Sequence, residues 1–133
     1  MKKLCLAIFA ATILSAAAFA QKQNTYPVVV SFNSMCCGVP NDQPLMKLIS
    51  SFKKQNKIKK MSVDKIGPMG REGEYYMAFR LNELNKAQKL KFIQQLKILV
   101  PTMKDKGSAD VRENLAINKS DLSSGASINT LKL

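Results

Sequence analysis

Between Tyr26 and Ile117 the spacing of apolar residues switches repeatedly between a period of two and one of about 3.6, and this alternation limits the folds open to the chain more than any other feature. In Tyr26-Pro27-Val28-Val29-Val30-Ser31-Phe32, the side chains of Val28, Val30 and Phe32 share one face, as in a strand; Pro27 stands at its start, where a missing donor is tolerated. Leu45, Leu48, Ile49 and Phe52 then fall at i, i+3, i+4 and i+7, one face of a helix that Asn41 or Asp42 can cap and Pro44 can open, ending near Gln55. From Ile58 to Ile66, Met61 and Val63 alternate with Lys60, Ser62 and Asp64, and from Glu74 to Leu81 the residues Tyr75, Met77, Phe79 and Leu81 share a face. The glycine-rich stretch Gly67 to Gly73 between them is a turn signal, so the two segments predict an antiparallel hairpin. Asn85 can cap a second helix in which Ala87, Leu90, Ile93, Leu96 and Val100 recur at helical spacing, with Phe92 and Leu99 widening the apolar face. Pro101 kinks or ends that helix, Gly107 fits a stop beyond it, and Val111, Leu115 and Ile117 mark a last strand over Asp110 to Ile117.

The element order is therefore β-α-β-β-α-β. It predicts an α+β domain over residues 21–117, a ferredoxin-like sandwich with two helices on one face of a four-stranded antiparallel sheet. From Asn118 to Leu133 the chain is mostly Ser, Asn, Asp and Gly and is expected to be a flexible polar tail.

The first 20 residues read as a secretory signal peptide rather than as part of the fold. Lys2 and Lys3 form a positive start, Leu4 to Leu14 an almost unbroken apolar core, and Ala18-Phe19-Ala20 a small-x-small cleavage signal, which puts the cut between Ala20 and Gln21. A retained anchor would need roughly 20 apolar residues, more than this core has. Cleavage takes 20 of the 133 residues and leaves 113, enough for one modest core, and nothing after Ala20 approaches a transmembrane helix. The expected location is periplasmic or extracellular. Losing Lys2 and Lys3 lowers the formal charge from +12 to +10, a balance that suits an anionic ligand or surface, although lysines scattered along a chain also serve solubility. The one dense cluster is Lys53, Lys54, Lys57, Lys59 and Lys60.

Cys5 leaves with the signal, so Cys36 and Cys37 are the thiols of the exported chain, and no framework of well-separated disulfides can hold it together. They sit in Asn33-Ser34-Met35-Cys36-Cys37-Gly38-Val39-Pro40, between the first strand and the first helix. At this place in the element order, heavy-metal-associated domains carry Met-x-Cys-x-x-Cys, and Met35-Cys36-Cys37 weakly resembles that motif, with Met35 and Cys37 at the positions of its methionine and first cysteine. The second cysteine would fall at position 40, which is Pro40. What the resemblance implies is a place for a soft metal ion such as Cu(I). Read on their own chemistry, Met35, Cys36 and Cys37, with Met69 in support, supply soft sulfur donors. Adjacent trans Cα atoms lie about 3.8 Å apart, below the usual disulfide range of roughly 4.4 to 6.8 Å, so a vicinal disulfide would be strained and easily reduced. Pairing between molecules and two structural thiols are the remaining readings. Both sulfurs can serve one reaction only if Gly38 bends the turn to bring them to one side.

No histidine occurs, which excludes a Cys-His hydrolase and any His-containing metal site within one chain. The carboxylates form no recognisable acid-base pair either, and the chain is read as a binding module and not an enzyme. Arg71, Tyr76 and Arg80 are candidate contacts for an anion or a protein partner, since Arg71 lies in the glycine-rich hairpin loop and Tyr76 and Arg80 on the less apolar strand face. RNA-recognition motifs stack bases on such a face, but their Lys/Arg-Gly-Phe/Tyr signature is missing and an exported protein meets no cellular nucleic acid. The same face could pair with a second subunit's sheet to make a homodimer. The leading expectation is thus an exported binding module with a thiol site for a soft metal or for redox change. The alternative is a structural or interaction protein that uses its basic surface or open sheet face, with the cysteines incidental.

Overall fold

The computed structural model describes residues 24–133; residues 1–20, where a signal peptide is expected, and the expected Ala20–Gln21 cleavage junction lie outside the described residues. Strand β1 (Asn24–Ser34) leads through the cysteine turn into helix α1 (Gln43–Gln55). The hairpin β2 (Ser62–Gly67) and β3 (Tyr75–Phe79) follows, then helix α2 (Lys86–Leu99) and a single 3-10 turn over Val100–Thr102, where Pro101 ends the regular helix. Strand β4 (Gly107–Ile117) and strand β5 (Ser127–Lys132) complete an antiparallel sheet in the order β4-β1-β3-β2-β5. Among the described residues no helix is long and apolar enough to cross a membrane.

The main core lies between the helices and one sheet face. Val28, Val30, Phe32, Met77 and Phe79 are buried from the central strands, Leu45, Ile49 and Phe52 from α1, and Phe92 and Leu96 from α2. Phe92 packs against Phe52 and Phe79 with ring centroids 5.0 and 5.4 Å away. Tilted rings at such distances add to the burial itself. The apolar face of α2 is therefore centred on Phe92 and Leu96 rather than on Ala87 and Leu90, both of which are exposed. The aromatic ring, which buries the most area, takes the core position. A capping box fixes the helix start: Asn85 Oδ1 accepts from the Gln88 N–H, and the Gln88 side chain accepts from the Asn85 N–H.

The sheet has five strands where the sequence predicts four, and the extra one comes from the stretch expected to be a flexible tail. β5 pairs with β2 from Ser127 opposite Gly67 to Lys132 opposite Ser62. Its apolar residues, Ile128 and Leu131, are three apart and so lie on opposite faces, which leaves no period-two signal. The sheet face turned away from the helices is not left open. Tyr26, Val29, Ile66, Ala78 and Ile117 form a second buried cluster there, and Leu122, on the segment that carries the chain from β4 to β5, packs against it together with Ile128.

On this second face a buried carboxylate joins four segments. Asp64 of β2 is 1% exposed. Its Oδ2 accepts from the Tyr26 hydroxyl of β1 at 2.8 Å and from Arg80 Nη2 and Nε, just past β3, at 2.7 and 3.1 Å. Its Oδ1 accepts from the Thr130 hydroxyl of β5 at 2.6 Å. The alternation of β2 suggests a solvent-facing Asp64; the late-arriving β5 and the loop before it are what bury it. Burial by itself raises the pKa of Asp64, but the hydrogen bonds from Thr130, Tyr26 and Arg80, with the Arg80 charge, outweigh it and hold the carboxyl below its usual range. Tyr26 is pushed up to about 12, first by burial and then by the Asp64 hydrogen bond and charge.

Two stability measurements check this network. Asp64→Ala should cost about 3 kcal/mol in urea unfolding, because it strands the partners of a buried charge, and Thr130→Val about 1 kcal/mol. Asp64, whose folded pKa is depressed, contributes stability that is present at neutral pH and lost as pH falls through its folded pKa. Tyr26 contributes stability that is complete below its ordinary value of 10.0 and lost as pH rises through about 12. The alkaline loss should be smaller in Tyr26→Phe.

Candidate functional site

The cysteine turn sits where β1 leaves the sheet. Its position is fixed on one side by the β1–β4 ladder, which runs up to Ser34 opposite Gly107. Gly107 is buried, and a Cβ there would lie 2.0 Å from the Asn33 carbonyl oxygen, so the sequence allows this close approach only through glycine. The residue expected to mark a helix stop instead begins β4. On the other side the turn meets the start of α1. Asp42 is the residue before the helix, but its carboxylate does not cap it; Oδ2 accepts from the Tyr75 hydroxyl at 2.9 Å, and the Gln43 N–H is taken by Asn41 Oδ1 at 3.0 Å. Tyr75 in turn stacks on Phe32, with ring centroids 4.5 Å apart, and lies under the Lys65 ammonium. Burial, then the Asp42 hydrogen bond and charge, push its hydroxyl well above the usual tyrosine range. The start of β3, the end of β1 and the first turn of α1 are thereby locked together beneath the cysteines.

Gly38 adopts φ +111°, a backbone conformation that L side chains rarely enter. Cys36 and Cys37 are both exposed and free, and their Sγ atoms lie 2.7 Å apart. The turn thus brings both sulfurs to one side, the condition on which any joint chemistry depends. Met35 is 79% exposed beside them. Met69 packs on the second face, against the cluster around Tyr26 and Val29, and its N–H donates to the Glu74 carbonyl at 2.7 Å. Among the described residues no group of three or more His, Cys, Asp or Glu is arranged to hold a metal ion. The Cys36 thiol is pushed above the ordinary thiol range, first by its hydrogen bond with Cys37, then by desolvation, then by the charge of Glu72 in the hairpin loop.

The three candidate anion contacts are not brought together. Arg71 is exposed at the hairpin tip. Tyr76 lines a cavity of about 140 Å³ on the second face with Met69, Arg112 and Leu122. Arg80 is committed to Asp64 and lies over the Tyr26 ring, 5.0 Å from its centroid. The Asp64–Arg80 pair escaped the sequence reading; the available signal was an acid and a base at strand positions that face each other's neighbours across the hairpin, with Asp64 opposite Ala78 and Arg80 two residues on. An apolar groove of about 430 Å³ also runs between the helices, past Leu48, Phe52, Ile98 and Leu99, but no titratable side chain lines it.

The raised Cys36 pKa has a kinetic consequence, since the thiolate is the reactive form. Alkylation of Cys36 by iodoacetamide, followed by peptide mass spectrometry, should still accelerate with pH beyond the ordinary thiol value of about 8.5. Glu72→Gln should shift that profile to lower pH, while Glu113→Gln, on β4, should leave it in place.

Comparison with protein-family models, with curated proteins and with solved structures finds no match.

Proposed function

We propose that this chain is an exported binding module, not an enzyme, built as a ferredoxin-like sandwich with one added edge strand, and that Cys36 and Cys37 form a vicinal dithiol site open to redox change and to soft metal ions. The fold reading is supported by the strand order β4-β1-β3-β2 within the five-stranded sheet and by both helices packing on one face. The site reading is carried by a single observation: two exposed, free sulfurs are in contact in the turn between β1 and α1.

Two adjacent exposed thiols in contact can close into a vicinal disulfide when an oxidant is present. With glutathione disulfide as the oxidant, the Sγ–Sγ bond would form as two glutathione thiols are released, and the two hydrogens and two electrons lost by the protein end on glutathione. Metal binding belongs to the reduced form.

The test is intact mass with thiol titration after equilibration across a series of glutathione redox buffers. The expected product is a monomer that has lost two hydrogens and both titratable thiols, and that regains them under mild reduction because the closed ring is strained. Two thiols that stay free across the series would sink the redox reading; a covalent dimer would replace it with pairing between molecules. Anaerobic competition with a Cu(I) chelator reports on the metal arm, and binding by the reduced form that disappears on oxidation is expected. Gly38→Ala should lower the unfolding free energy in urea by about 1 to 2 kcal/mol, because a side chain is strained at this φ.

A further inference from the structure

The sequence cluster Lys53 to Lys60 is joined by Lys86 and Lys132 at one end of the domain. Lys53 and Lys54 lie in the last turn of α1, and the chain then folds back at once, with the N–H groups of Lys57 and Ile58 donating to the carbonyls of Lys54 and Lys53. Lys59 and Lys60 follow, immediately before Met61, whose N–H and C=O pair with Leu133. That pairing brings in Lys132, opposite Ser62. Ser62 donates its N–H to Glu83 at 3.0 Å, which places the start of α2, with exposed Lys86, at the same end. The acidic side chain at this end, Glu83, is already taken by the Ser62 N–H.

The acids are segregated to the opposite end. Of the nine acidic residues, Asp42, Glu72, Glu74, Asp105 and Asp110 lie around the cysteine turn and the hairpin loop beside it, so the domain is electrically polar along its strands. Asp64 is buried against Arg80, and Glu113 pairs with Lys97. The lysine end is also where the chain enters the domain, because Asn24 lies opposite Ile117 at the far end of β1 from the thiols. The sequence upstream of that entry carries the apolar run Leu4 to Leu14.

We infer that this lysine pole is a docking surface for an anionic phospholipid membrane. The partner's chemistry follows from what the pole contains. Its cations are lysines, mobile point charges suited to a diffuse field of head groups, with no arginine fork free for one fixed phosphate. The two concavities described above lie elsewhere, between the helices and on the second sheet face. The inference is independent of the thiol chemistry at the other end.

The test is co-sedimentation of the protein as recovered after export, its N-terminus read by intact mass, with vesicles of phosphatidylglycerol and phosphatidylcholine and with phosphatidylcholine alone. Binding should require phosphatidylglycerol and fade as salt is raised. Neutralising Lys54, Lys59, Lys60 and Lys132 to Gln should weaken it about 1,000-fold, given about 1 kcal/mol for each lysine near an anionic surface. Lys104→Gln with Lys106→Gln, at the cysteine end, should leave it unchanged. Equal binding to both kinds of vesicle, or equal loss in the two variants, would overturn the proposal. So would heparin competing the protein off vesicles at equivalent charge, which would assign the pole to an acidic polysaccharide. The salt series on the unaltered protein decides the matter even if the fourfold variant fails to fold.

Discussion

One buried carboxylate closes this domain. Asp64 accepts hydrogen bonds from Tyr26, Arg80 and Thr130, and those residues belong to β1, to the end of β3 and to β5. In a domain whose described residues hold only the adjacent, free Cys36 and Cys37, no covalent link does that work, so the segments must be held by groups that exchange water for one another without loss. A carboxylate with four hydrogen bonds from three side chains is such a group; with any partner missing it becomes a charge that burial penalises. The helix side of the sheet depends on ordinary packing around Phe92. The other side depends on Asp64, because β5 brings only Ile128 to the second cluster and Leu131 to the main core.

How far the sequence announces this structure follows from where its signals are local. Period-two and period-3.6 patterns are carried by neighbouring residues, and the strands from Tyr26 and Tyr75, the helix from Gln43 and the Asn85 cap are all legible for that reason. β5 is not, since an edge strand whose two apolar residues lie on opposite faces has no pattern of its own; its identity lies in its pairing with β2. Asp64 was hidden for the same reason, as its burial is created by residues 16 and 66 positions away. The phase of α2 was misread because equal weight on every apolar residue cannot tell that Phe92 outcompetes Leu90 for the interior.

The thiol turn shows the same division. Its place between strand and helix is a matter of element order and is visible in the sequence. The convergence of the sulfurs is a matter of the backbone and side-chain torsions of Cys36 and Cys37 themselves, and the place of Met69 is a matter of which sheet face the hairpin loop folds over. Neither can be read from spacing. Likewise, the basic cluster at Lys53 to Lys60 is local, but its union with Lys86 and Lys132 is made by the fold alone.

The length of β1 has an electrical meaning. Its 11 residues, at about 3.3 Å each, hold the thiols some 35 Å from the lysine end, several times the screening length of roughly 8 Å at physiological ionic strength. The ionisation of Cys36 is therefore governed by Cys37 and Glu72 and is indifferent to what neutralises the lysines. A single strand acts here as an insulator, so the chemistry at one end of a small domain can be tuned by substitution without disturbing what the other end attracts.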